Sequence, residues 1–241
     1  MQKFKDTLEG KGKILFAALL INFLNLFRRF AKYPNRYWAS WNELIQFQAF
    51  AEETFDTKRV YINREMLWKR MLRLMPEEFS ALEFGVANGY LTNYWMKRGG
   101  NRIKTWNGYD TFTGLPRAWR DLPQNYFDTG GMVPAITDDR VTWHVGLVQE
   151  TLSATFTPPS NLCVCYFFDF DLFEPSFFAW NIIKSQLKIG DFLYFDEAFD
   201  SDEKRLITEH VLKFGTFELV GVTPLAMAVR LKNYVATSLK Q

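Results

Sequence analysis

The sequence predicts an α/β fold: a doubly wound, mostly parallel seven-stranded sheet with an N-terminal helical extension. Three observations carry this. From residue 80 onward, short apolar runs alternate with stretches whose apolar residues recur every three or four positions, the pattern of strand, crossover helix and strand. Leu162–Phe168 and Phe192–Phe195 lack polar alternation, as central strands covered on both faces should. The chain has 241 residues, 48% hydrophobic and 23% charged, enough to bury one large core.

The extension comes first in the chain. Residues 1–40 carry eight Lys or Arg against two acids, although the whole chain has a net charge of only +2. The rest is therefore mildly acidic, and no basic stripe with interleaved aromatics points to nucleic acid. Ile14–Phe27 is strongly apolar between basic flanks, but it falls short of the roughly 20 residues that span hydrocarbon. No small-residue cleavage site follows it, so a secretory signal is not expected. A helix that covers the core or forms a homo-oligomer contact is the preferred reading. Peripheral membrane contact through residues 1–30 is the alternative. The two cysteines, Cys163 and Cys165, alternate on one strand and are poorly placed for a disulfide, which fits free thiols in a reducing cytoplasm.

Strands are expected at Ser80–Val86, Thr105–Asp110, Val141–Val145, Leu162–Phe168, Phe192–Phe195, Phe217–Val220 and Ala226–Leu231, and helices at Asn88–Lys97, Pro175–Leu187 and Ser201–Phe214. Pro175 suits a helix's first turn, and Gly190 a left-handed helix C-terminus. This divides the chain into a helical extension or lid, residues 1–75, and a ligand-binding domain, residues 76–241. Leu115–Val133 is too long and glycine-bearing for a plain connection and is expected to be a lid or substrate loop.

Open α/β sheets bind ligands where strands end, and four acidic or glycine-rich features fall there. Glu83-Phe-Gly85-Val-Ala-Asn88-Gly89 closes the first strand and opens a helix; its glycines would let a ligand approach the backbone. It is not the G-x-G-x-x-G of dinucleotide enzymes. Asp110, ending the second strand, is placed to accept both ribose hydroxyls of an adenosine-containing cofactor. Asp169-Phe-Asp171 and Asp196-Glu197 each follow an apolar strand. Carboxylates converging from neighbouring strands repel unless a proton or cation joins them, and a hard divalent ion such as Mg²⁺ is the natural partner. His144, closing its strand, is a candidate general base, whereas His210 reads as a surface residue.

These motifs, with Gly108-Tyr-Asp-Thr-Phe-Thr-Gly-Leu-Pro116, Asp139–Leu152 and Phe168-Asp-Phe-Asp-Leu-Phe-Glu-Pro175, resemble the macrocin O-methyltransferase family over roughly residues 78–215. Its members are class I, Rossmann-like enzymes that use S-adenosylmethionine, commonly with a divalent metal, to methylate sugar hydroxyls. The resemblance implies that Glu83, Gly85, Asn88 and Gly89 line the methionine end of the cofactor and Asp110 its ribose. It implies Asp169, Asp196 and Glu197 as metal ligands, with Asp171 as the alternate; the candidate catalytic residues are then Asp169 and, from its strand-end position alone, His144. Two other classes compete: a glycosyltransferase using Asp169-Phe-Asp171 to hold a metal and diphosphate, and a non-catalytic membrane- or partner-binding module.

Overall fold

The computed structural model describes residues 49–55, 59–153, 156–159 and 161–235, which belong to one compact unit. The apolar stretch Ile14–Phe27 and the membrane reading of residues 1–30 lie outside the described residues. No helix among those described is long and apolar enough to cross a membrane.

The seven expected strands form one sheet. They are β1 (Phe79–Phe84), β2 (Ile103–Asp110), β3 (Val141–Val145), β4 (Cys163–Phe168), β5 (Phe192–Phe195), β6 (Gly215–Val222) and β7 (Met227–Tyr234), in the order β3-β2-β1-β4-β5-β7-β6. The first five are parallel to one another, whereas β7 runs antiparallel to both β5 and β6. The reversal follows from chain length. Only Thr223–Ala226 joins β6 to β7, and four residues can close a hairpin but not a crossover. Thr223 locks that turn, donating its N–H to the Ala226 carbonyl and accepting the Ala226 N–H on Oγ1. The pairing of β6 and β7 also runs beyond the apolar runs Phe217–Val220 and Ala226–Leu231, because backbone hydrogen bonds continue past the buried segment.

All six residues of β1 and all four of β5 are buried, as expected of strands covered on both faces. Alternation divides the core between the faces. Leu82, Phe84, Tyr166, Phe168, Leu193 and Phe195 meet α4 (Phe173–Ile183) and α5 (Ser201–Leu206). Phe79, Ala81, Cys165, Phe167, Phe192 and Tyr194 meet α1 (Arg64–Leu74) and α2 (Tyr90–Gly99). A four-residue helix, α3 (Val148–Thr151), follows β3, and α5 continues through a π turn, Ile207–Val211, into Leu212–Phe214. Pro175 is in the first turn of α4. Gly190 has φ +100° but lies in the turn into β5, because α4 ends at Ile183 and a 3₁₀ turn follows. His210 is half-buried rather than a plain surface residue, its ring 4.5 Å from that of Phe177.

The placement of α1 matters most for the site. Arg59 and Tyr61 pair with Val222 at the end of β6. The chain then turns at Asn63, whose side chain caps the helix by accepting the Met66 N–H at 3.0 Å. Leu67, Trp68, Met71 and Leu72 bury one helix face against the sheet. Arg64, in the first turn, is thereby carried to the carboxyl edge.

Candidate active site

Beyond the last paired residues, the ladder adds one rung at each strand end. Gly146 donates to Asp110 at 3.0 Å, Gly85 to Tyr109 at 3.0 Å, Asp169 to Phe84 at 2.8 Å and Asp196 to Phe168 at 3.0 Å. The residues that follow β3, β1, β4 and β5 therefore stand at one level. A pocket of about 1150 Å³ opens there, lined by Glu83, Gly85, Asn88, Asp110, Asp169, Asp171, Asp196 and Glu197. Arg64 and Trp68 border it from α1, and Leu115, Pro116, Arg117, Trp119 and Phe127 from the long loop after β2.

One half of the pocket is built on Asp110. Its Oδ2 accepts the N–H groups of Val86 and Ala87 at 2.7 and 2.8 Å, and its Oδ1 that of Phe112 at 2.7 Å. Three backbone donors fix the carboxylate and tie the β1–α2 turn to the end of β2. The glycines of that turn have reasons beyond a ligand. Gly85, at φ +92°, leaves room for the Asp169 carbonyl oxygen, which a Cβ would meet at 1.9 Å; at Gly89, φ +74°, a Cβ would lie 2.7 Å from Pro134. Gly89 does not line the pocket. Asn88 caps the turn, accepting the Tyr90 N–H at 3.1 Å. Glu83 is wholly buried, with Oε2 accepting the Thr92 hydroxyl and, at 2.7 Å, the Trp106 indole N–H. Burial pushes its carboxyl up to about 8.

The other half is acidic. Burial, then the charges of Asp196 and Asp171, raise Asp169 well above the usual carboxylate range. Asp171, in the left-handed region at φ +62°, is pushed up to about 7 by burial and Asp196, and Glu197 to about 8 by the same causes. Glu203 joins them from α5. It is fully buried, with Oε2 accepting the Glu197 N–H at 3.0 Å and Oε1 without a hydrogen-bond partner. Two arginines face these acids. Arg64 Nη1 lies 2.8 Å from Asp196 Oδ2, whose other oxygen accepts the Tyr194 hydroxyl at 2.5 Å. Arg120 Nε lies 2.6 Å from Asp200, and its Nη2 3.4 Å from Glu197.

This arrangement bears on the expected metal site. Asp169, Asp171, Asp196 and Glu197 do share the pocket. Among the described residues, however, no three acids, histidines or cysteines are placed to hold a metal ion. Both oxygens of Asp196 are engaged by Arg64 and Tyr194, whereas Glu197 Oε2 has Arg120 at 3.4 Å but no hydrogen bond, so it is Asp196 that, as arranged, does not fit the ion. Sequence reasoning missed Arg64, Arg120, Tyr194 and Glu203. The last carried a signal: with Leu206, Ile207 and Val211, all buried, Glu203 shares the apolar face of its helix.

His144 stands apart. It does not line the pocket. Its ring stacks on Tyr109 at 4.3 Å, and Nε2 lies 3.0 Å from Asn107 Oδ1. Burial lowers its affinity for a proton, as suits a packed, neutral imidazole.

No protein-family model matches the chain, and none of the curated proteins is similar to it in sequence. Among solved structures, CalS11, a calicheamicin methyltransferase, matches with a TM-score of 0.53 at 22% identity, covering 69% of this chain and 76% of that one. The O-methyltransferase NovP matches with a TM-score of 0.50 at 15% identity, over 70% of this chain and 80% of that one. The chain has a Rossmann-like methyltransferase fold. On this fold the pocket lies at the carboxyl edge of the parallel strands, and the macrocin resemblance rests on the motifs alone.

Proposed function

We propose that the chain is an S-adenosylmethionine-dependent O-methyltransferase acting on a hydroxyl of a sugar or glycosylated metabolite. The observation that carries this is one pocket joining the Asp110 turn to the acidic edge. Its volume of about 1150 Å³ stands at the top of the roughly 300–1000 Å³ range of ligand pockets, in keeping with room for a methyl donor beside an acceptor. Methyl transfer needs that juxtaposition, because most of its barrier is reduced by alignment. The likeness to CalS11 and NovP, both methyltransferases, supports the reaction class, and the motif resemblance supports a sugar hydroxyl.

The bound cosubstrate supplies a methyl group on a sulfonium that leaves readily. The chain's residues do the rest. Asp110, fixed by its three N–H donors, keeps one lone-pair site, on Oδ1, to accept a ribose hydroxyl. Asp169 accepts the proton of the acceptor hydroxyl as the oxygen's electron pair forms the O–CH₃ bond and the C–S bond breaks. A carboxyl raised by burial and neighbouring acids is a stronger base than one in water. Titration calorimetry with S-adenosylhomocysteine tests the reading. Wild-type protein binds it, and Asp110→Ala weakens binding at least about tenfold, the equivalent of one lost charge-assisted hydrogen bond. Absence of binding by the purified, folded wild type refutes the proposal.

A further inference from the structure

The acid edge has a resident cation that the methyl-transfer reading does not require. Arg64 comes to Asp196 across 132 residues of sequence, and its Nη1 lies 2.8 Å from Oδ2. Three constraints fix it there. Arg59 and Tyr61 are hydrogen-bonded to Val222 just upstream. Asn63 caps the helix that Arg64 begins. The guanidinium also lies over two aromatic rings, 5.6 Å from the centroid of Trp68 and 5.4 Å from that of Tyr90, each adding cation–π attraction. The carboxylate of Asp196 is nearly inaccessible, its side chain only 6% exposed. The Arg64 side chain is 41% exposed, so the pair differs from a surface bridge on the carboxylate side: parting would leave Asp196 buried without its counter-charge.

We infer that Arg64 stands as a fixed guanidinium where Asp169, Asp196 and Glu197 would otherwise take a divalent cation. The site then orients an acceptor oxygen by hydrogen bonding rather than by metal coordination. A guanidinium carries five N–H donors, and Arg64 borders the same pocket that holds Asp169. It keeps its charge at any working pH, so the acids beside it always have a counter-charge. A divalent ion entering beside it meets a like charge and a ligand already engaged. Arg64 is thus a positioning residue. Its part in catalysis rests on the methyl-transfer reading, but its exclusion of metal does not.

The test is Mn²⁺ binding, followed by electron paramagnetic resonance of the free ion and by thermal shift. It uses full-length protein dialysed against chelator, in the wild type and in Arg64→Met, which keeps length and removes charge. The wild type should leave the free Mn²⁺ signal and its own melting temperature unchanged. Arg64→Met should gain a site, with affinity higher by about tenfold or more and a melting temperature that rises with Mn²⁺. Adding Asp196→Asn to that variant should abolish the gain. Mn²⁺ binding by the wild type overturns the inference, and so does an Arg64→Met protein that still binds none. Should Arg64→Met fail to fold, the wild-type titration still decides. S-adenosylhomocysteine binding that disappears when chelator is added also overturns it. Failure to bind S-adenosylhomocysteine with or without metal overturns the methyl-transfer reading instead.

Discussion

A methyl group added at Gly85 would lie 1.9 Å from the carbonyl oxygen of Asp169, at a backbone angle of φ +92° that L-residues rarely adopt. Neither partner can yield, since Asp169 N–H is bonded to Phe84 at the end of the β1–β4 ladder. Gly130, at φ +68°, has nothing within 4 Å of the same added atom. The two positions separate steric from conformational cost. Gly130→Ala should cost about 1 kcal/mol, the usual penalty for a left-handed residue with a Cβ. Gly85→Ala should cost more than about 3 kcal/mol, in the range reserved for clashes in packed structure. Urea unfolding monitored by tryptophan fluorescence measures both, and equal costs would contradict this account.

At the scale of elements, the loop after β2 is held by its own small core, in which Leu115 and Trp119 pack on Leu172 at the start of α4. Arg117 adds an ion pair to Glu174 at 2.8 Å, but both side chains are more than half exposed, so it contributes little. The apolar anchor and the part-buried Arg120–Asp200 pair, at 2.6 Å, therefore hold the loop. Leu172→Ala should cost about 3 kcal/mol and open residues 120–130 to limited proteolysis, whereas Arg117→Ala should leave the digestion pattern unchanged. The central strands β4 and β5 were legible in the sequence because apolar runs bounded by Gly, Asp and Pro have few alternative structures. The loop's position at the pocket was legible from length and glycine content. Its anchor was not, because Leu172 comes from a segment 57 residues beyond Leu115, and no local pattern pairs them. The same limit applies to α1. Its apolar face reads as a helix, but its docking on the sheet is set by the pairing of Arg59 and Tyr61 with Val222.

Across the whole molecule, the legible part of the site was its strand-end acids, and the hidden part was its cations and Glu203 on α5. Asp110, Asp169, Asp171, Asp196 and Glu197 stand at strand ends, which topology brings together. Arg64 and Arg120 reach them from a helix and a loop whose placement is tertiary. Proton binding exposes the balance between the two sets. In the folded chain Asp171 titrates near 7, and Glu197 and Glu83 near 8, chiefly because burial disfavours their charge. Unfolded, the same carboxyls lose their protons near pH 4. Between these limits the folded chain holds more protons, so stability is greatest below about pH 4 as far as these groups are concerned and declines as pH rises through 7 and 8. Methyl transfer should move the other way, because a base must be unprotonated to accept the hydroxyl proton. The melting temperature should fall between pH 6 and 9 while kcat/KM rises. Glu83→Gln isolates one contribution: an amide has no charge to bury, so the variant's melting temperature should gain on the wild type's as pH rises from about 4 to about 8.5. Differential scanning calorimetry across that range reads the result directly, and a wild-type melting temperature that climbs with pH would contradict the protonated state assigned to these buried acids.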